Sequence, residues 1–314
     1  MFPRNNVTGR FARSAVLVLT SVGWLSGLGC NPTRVAKDRS AVPEHAAAAS
    51  ASNETAQTRV AEERSPPTAT PNQSLEPAPL SEEEIAKGRA RIESLSEDYS
   101  TRIEARRALI YPLCEAGQVE PAMAEFEALL DDVRQQEGDI KAQRVAMNDA
   151  RTLHGQQHYH AAVAAYEQLL ARWPGSHFSD QALFQIGACH LELHEYAEAG
   201  TVWQRFIEEF DGSPRAPWGW RRLALAQLLQ GEFDTSLATL KLMAAKYEGS
   251  EWGYYGQMRQ GYVQMVAGRL GEARSTFDKF LEQCGQSKYC KLVRKQLEKL
   301  AETELAAATH RREP

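Results

Sequence analysis

Chemistry in this chain would have to come from its thiols, its histidines, or a set of aromatic and basic side chains. The five cysteines are Cys30, Cys114, Cys189, Cys284 and Cys290. Cys284 and Cys290 stand six residues apart and read either as a disulfide or as two free thiols. Cys114 and Cys189 fall on apolar helical faces, where a thiol packs as a small hydrophobe. His190 and His194 are four apart in His190-Leu191-Glu192-Leu193-His194, and His154, His158 and His160 gather near one turn. Neither group matches a zinc signature: there is no His-Glu-x-x-His, and no cysteine pair lies nearby at finger spacing. The competing reading is of partly exposed turn histidines, and neither a metal nor a cofactor is expected. A Gly-x-Ser-x-Gly elbow and a phosphate-cradling glycine loop are both missing from the sequence, so a catalytic role is not expected either. The third candidate is a pair of clusters, Trp218, Arg221 and Arg222, then Tyr255, Arg259 and Tyr262. Aromatics and arginines are the residues that most often anchor protein partners. Core packing with solvated arginines is the alternative for the same residues.

The elements that must position these side chains repeat. Tyr159, Tyr196, Phe233 and Leu270 follow one another at 37-residue steps. Three residues after each comes a small one, Ala162, Ala199, Ser236 and Ala273, and four further on a large one, Tyr166, Trp203, Leu240 and Phe277. Gly175-Ser176, Gly212-Ser213 and Gly249-Ser250 recur at the same period, and Ser287 keeps the serine once more. Trp173, Phe210, Tyr247 and Cys284 precede those turns. A fainter copy, Val119, Ala122 and Phe126, lies 40 residues upstream, and the polar turn at Gly138-Asp139 is expected to hold the three extra residues. Within each period the apolar spacing is helical, as in Ala182-Leu183-x-x-Ile186-Gly187, where Gly187 permits close approach. A two-helix unit cannot bury its apolar face alone, so such units stack into a solenoid.

Leu183-x-x-Ile186-Gly187, then Tyr196-x-x-Ala199, then Trp203 closely resembles the tetratricopeptide repeat (TPR). The 37-residue period and the Pro174-Gly175-Ser176 turn resemble the repeats of the BamD family of outer-membrane-assembly lipoproteins and the Tol–Pal-associated YbgF family. The resemblance covers about 100–290. It implies an all-α, right-handed TPR solenoid of four to five repeats. In that family the first helix of each repeat usually lines the concave face, which would place Trp218, Arg221, Arg222, Tyr255, Arg259 and Tyr262 there. The partners it implies are envelope proteins, docking a peptide or helix in the groove. Two departures stand out: the tether described below is longer than a BamD-like chain carries, and the N-terminal coiled coil of a YbgF-like chain is lacking.

The first 29 residues carry Arg4, Arg10 and Arg13 and no acid, with an apolar run from Ser14 to Leu28. That run suits the apolar core of a signal peptide and is short for a membrane crossing, which takes about 20 residues. Gly29-Cys30 follows, and the pattern resembles a bacterial lipoprotein signal, although Gly27 stands where that family prefers leucine. The resemblance implies a lipidated Cys30, and Asn31 after it implies the outer membrane. A cleaved secretory signal giving a soluble periplasmic protein, and an uncleaved anchor or a cytoplasmic protein, are the other readings.

Residues 31–80 hold 7 of the 14 prolines, 11 alanines and 10 Ser/Thr, and no aromatic residue, a composition unable to offset its ordering entropy. As a flexible tether these fifty residues would reach roughly 40 Å. At Ser81-Glu82-Glu83-Glu84 the texture changes to a helix start with a capping box, and Ile85, Ile92 and Tyr99 continue as one amphipathic helix or two.

The chain thus divides into a leader (1–29), a tether bearing Cys30 (30–80), N-terminal helices with a divergent repeat (81–140), the array (141–290) and a capping helix with tail (291–314). With 36 Lys+Arg against 41 Asp+Glu, the net charge is −5, and 33 basic against 41 acidic residues remain beyond the leader. Nucleic acid does not fit that balance, and no small-molecule substrate is expected. In an oxidising envelope the Cys284–Cys290 pair would replace aromatic packing at the end of the array by a covalent link. The function expected is a non-catalytic envelope adaptor in BamD-like outer-membrane protein assembly. The alternatives are a YbgF-like coordinator of cell-wall synthesis or division, and an accessory subunit of a peptidoglycan-modifying enzyme.

Overall fold

A computed structural model of the protein describes residues 77–95 and 98–310, with side chains to Glu302. The leader, Cys30 and the tether to residue 76 lie outside the described residues. Ser81 caps the first helix, α1 (Glu82–Ser94), through the full capping box expected of it. Five helical hairpins follow. They pair α2 (Tyr99–Glu115) with α3 (Val119–Glu137), α4 (Asp139–Gly155) with α5 (Tyr159–Arg172), and α6 (Ser179–Glu192) with α7 (Tyr196–Glu209). The last two pair α8 (Ala216–Leu229) with α9 (Phe233–Lys246), and α10 (Glu251–Val266) with α11 (Leu270–Gln283). α12 (Tyr289–His310) closes the series, beginning two residues before the position expected from sequence. No strand occurs among the described residues, and each helix packs on the next, which is the all-α TPR-like solenoid.

The 37-residue columns have definite places in this fold. Tyr159, Tyr196, Phe233 and Leu270 are the first residues of the second helices. Ala162, Ala199, Ser236 and Ala273 are completely buried, as are Tyr166, Trp203, Leu240 and Phe277 one turn on. Each such large side chain, fully buried, contributes about 1.5–3 kcal/mol relative to exposure. Gln157, His194, Gly231 and Gly268, again 37 apart, form a further column in the short turn between the helices of a hairpin, with φ of 68°, 61°, 83° and 75°. The left-handed turn is thus built even where the chain supplies glutamine or histidine.

Hydrogen bonds repeat with the same period. Thr239 donates to Gln227 at 2.8 Å and Thr276 to Gln264 at 2.7 Å, tying the two helices of successive hairpins. Between hairpins, the hydroxyls of Ser176 and Ser213 donate to Gln143 and Asp180, both at 2.7 Å, and that of Ser287 donates to Glu251 at 3.3 Å.

The first hairpin departs from the expectation in one respect. The residues that lengthen its period extend α3 to 19 residues, against 14 in α5, α7, α9 and α11, and only Gly138 separates α3 from α4. Gln135, Gln136 and Glu137 are good helix formers, so the helix continues until Gly138 ends it at φ 83°.

Candidate functional site

α8 and α10 are the first helices of successive hairpins, and they touch directly, as do α10 and α12. Trp218 and Tyr255 hold the same column on the first two, 37 residues apart. Arg221 stands between them, its guanidinium carbon 5.3 Å from the centre of the Trp218 ring and 5.5 Å from that of Tyr255. Arg259 lies on Tyr255 as well, at 5.0 Å, and on Tyr262 at 5.2 Å. Trp218, Arg221, Tyr255, Arg259 and Tyr262 therefore form one continuous cluster. Arg222 turns instead toward Trp203 on α7, at 5.9 Å, and belongs with the packing between hairpins.

Two aromatic residues outside the sequence candidates complete the cluster. Trp252 meets Trp218 edge-to-face at 4.7 Å and Tyr255 at 6.0 Å, and Tyr289, at the start of α12, meets Tyr255 at 5.8 Å. Rings from α8, α10 and α12 thus run Trp218, Trp252, Tyr255, Tyr289 in a single edge-to-face series. Geometry of this kind adds about 0.5–1.5 kcal/mol per pair beyond area burial. Lys288 lies over the last ring at 5.2 Å.

Burial separates anchors from accessible rings. Arg221, Arg222 and Arg259 are 8%, 6% and 3% exposed, so the alternative of solvated arginines does not hold. Tyr255 and Tyr262 are buried too, whereas Trp218, Trp252 and Tyr289 are half-buried. Desolvation lowers the pKa of Arg259; the neighbouring Tyr255 opposes that shift and the like charge of Arg221 reinforces it. Burial pushes the Tyr262 phenol up to about 12. The hydroxyls of Tyr255 and Tyr262 are buried without a hydrogen bond of normal geometry.

Three of the candidate histidines, His154, His190 and His194, make local contacts. The Nδ1 atom of His190 is 2.7 Å from a carboxylate oxygen of Glu195, and that of His194 is 2.8 Å from the Tyr196 hydroxyl. His154 packs against the Tyr159 ring, and burial pushes its pKa down. No group of three or more potential metal ligands occurs among the described residues. Cys114 and Cys189 are buried free thiols, raised by desolvation to about 11 and about 12. The sulfurs of Cys284 and Cys290 lie at bonding distance, with Cα atoms 6.2 Å apart.

Residues 181–213 match the family model of the tetratricopeptide repeat, within the α6–α7 hairpin and the turn after it. The solved structures that resemble the chain include a kinesin light chain with nearly identical TPR-like repeats from Podosopora anserina, at 16% identity and TM-score 0.41, over 58% of this chain and 94% of that one. A tetratricopeptide repeat protein from Parabacteroides merdae is similar at 16% identity and TM-score 0.37, over 70% and 87% of the two chains. The apo form of RapI is similar at 16% and 0.37, over 71% and 70%. No curated protein matches by sequence. The repeat fold is that of a protein-interaction scaffold, and no catalytic family is indicated.

Proposed function

We propose that the protein is a non-catalytic TPR adaptor of a bacterial envelope, held at the outer membrane by a lipid on Cys30 and facing the periplasm. There it binds a segment of another envelope protein along the face shared by α8, α10 and α12, in the manner of BamD-like outer-membrane protein assembly. The observation that carries this reading is the series Trp218, Trp252, Tyr255, Tyr289 with Arg221 and Arg259 laid on its rings. Rings of this kind offer large contact area with little conformational entropy to lose, and the buried Arg221 and Arg259 hold them in place from behind. The occupant that fits is a peptide or helix presenting apolar side chains to the half-buried rings of Trp218, Trp252 and Tyr289. Support for the compartment comes from the leader ending at Gly29-Cys30 and from the Cys284–Cys290 pair, since disulfides persist in oxidising surroundings.

The test is in-cell crosslinking and capture of the C-terminally tagged full chain from solubilised membranes, beside Cys30→Ala and Trp218→Ala/Trp252→Ala variants. Capture of outer-membrane-assembly components, reduced in both variants while helicity stays unchanged, is expected. Enrichment of Tol–Pal components or cell-wall synthases would replace the BamD-like reading by the YbgF-like one. Capture that is indifferent to the two tryptophans would remove the face from the argument.

A further inference from the structure

Three of the long turns that join successive hairpins begin with an aromatic residue. Trp173, Phe210 and Tyr247 end α5, α7 and α9, and each stands six residues before a small buried one, Ser179, Ala216 and Gly253, in the next helix. In the third of these turns the backbones at the two positions come close, because a methyl group added to Gly253 would run into the Tyr247 carbonyl. In the fourth turn the same two positions are Cys284 and Cys290, and their 6.2 Å Cα separation lies in the range a disulfide spans. This turn has no aromatic residue at the first position. Its remaining ties are backbone hydrogen bonds and Ser287, whose hydroxyl accepts from the Tyr289 N–H and donates to Glu251, both at 3.3 Å. Tyr289 sits directly before Cys290 and is the last ring of the aromatic series.

We infer that Cys284 and Cys290 are positioning residues of the partner-binding face. The bond between them fixes the first turn of α12 so that Tyr289 stands edge-on to Tyr255, and the face is complete only in the oxidised protein. The inference rests on the reading of that face as the partner site. Its physical basis is leverage: Cys290 and Tyr289 share one helical turn, so a link that immobilises the first immobilises the backbone of the second. On reduction by dithiothreitol the S–S bond breaks and takes up two electrons and two protons. Two thiols form, and the reductant leaves as its cyclic disulfide. Tyr289 then keeps the hydrogen bonds of its turn and the packing of α12 through Val293, Gln296 and Leu300, but no covalent link fixes the first turn, and Tyr255 loses the ring beside it.

The test uses the full chain purified in detergent without reductant, with wild type, Tyr289→Ala and Cys284→Ser/Cys290→Ser compared. Mass analysis after alkylation should show Cys284 and Cys290 protected until dithiothreitol is added. Reduction should then diminish the near-ultraviolet circular dichroism of the aromatic series. Amide exchange over residues 286–293 should quicken about tenfold or more, as expected for a locally opened segment. Tyr289→Ala should begin at the diminished signal and lose nothing further on reduction, whereas a link that served packing elsewhere would diminish the signal in both backgrounds. Alkylation of both cysteines without reductant, an aromatic signal indifferent to reduction, or an equal loss in Tyr289→Ala would each overturn the inference. These readouts need no partner, so their failure leaves the proposed adaptor function standing. If capture by the oxidised protein is indifferent to Trp218 and Trp252 while the redox response is intact, the binding face falls and the placement of Tyr289 survives.

Discussion

Gly187 on α6 faces the indole of Trp203 on α7 so closely that a methyl group at its Cα would stand 2.6 Å from Nε1. Gly261, two periods on, faces Phe277 in the same way. The same column holds Ala150 opposite Tyr166 and Ala224 opposite Leu240. The glycines are therefore required by close approach, at a propensity cost of about 1 kcal/mol each in a helix. Gly187→Ala should destabilise the array by roughly 1–3 kcal/mol, the usual scale of overpacking. Gly200→Ala is the control, because its new methyl would meet nothing nearer than 3.5 Å, and it should stabilise by about 0.5–1 kcal/mol. Chemical denaturation of both variants decides. Equal effects would mean that the indole moves aside freely.

How far the sequence carries can be judged from single positions. Tyr159, Tyr196, Phe233 and Leu270 mark the heads of the second helices because one packing role recurs at each, and a recurring role leaves a recurring residue type. Trp252 and Tyr289 escaped the same reasoning, since their column also holds Phe178 and Arg215 and so shows no uniform type. Their role arises only when alternate columns from neighbouring helices meet. The arginines show a related limit: residue type favours solvent, while the helix face decides burial, and Arg259 is 3% exposed beside the Tyr255 and Tyr262 rings. Gln135, Gln136 and Glu137 are exposed, so no packing position marks them in the sequence, and their helix propensity carries α3 on to Gly138.

Acid should loosen the start of the array first. The Ser81 backbone N–H, then its hydroxyl, hold the Glu84 carboxyl below its ordinary value, and the hydroxyl and N–H of Thr101 do the same for Asp98. A carboxyl depressed in the folded state contributes stability that is present above its unfolded pKa and lost as pH falls through the folded one. Amide exchange in the first turns of α1 and α2, corrected for its intrinsic pH dependence, should therefore quicken below about pH 4, near the ordinary carboxylate values. The buried centre of α7 should not respond. Glu84→Gln keeps an acceptor without the titration and should flatten the response at α1; an unchanged profile would refute the cap as its source.

Cys114 and Cys189 should behave as inert thiols. Burial raises them to about 11 and about 12, so at pH 8.5 the thiolate fraction of each is well under about one in a hundred. Iodoacetamide applied to the native chain at that pH should leave both unmodified, and the same treatment in denaturant should modify both. Native labelling of Cys189, which is completely buried, would show that α6 opens locally.

The N-terminal hairpin is held by a set of partly buried ion pairs that gives a local test of cooperativity. Glu125 on α3 is 5% exposed and accepts from Arg89 of α1 at 2.6 Å and from Arg106 of α2 at 3.0 Å. Arg106 also reaches Asp132 at 2.8 Å. Arg106→Ala leaves Glu125 with Arg89, which is half exposed and better screened, and should cost roughly 3 kcal/mol, the scale for removing one member of a buried pair. Arg205→Ala, which breaks an exposed pair with Glu209, should cost under about 0.5 kcal/mol. In a solenoid each unit is supported only by its neighbours, so the loss at Arg106 should appear as lowered exchange protection in α1–α3 while α8–α11 keep theirs. Protection lost evenly along all the hairpins would instead show that the array unfolds as a single cooperative unit.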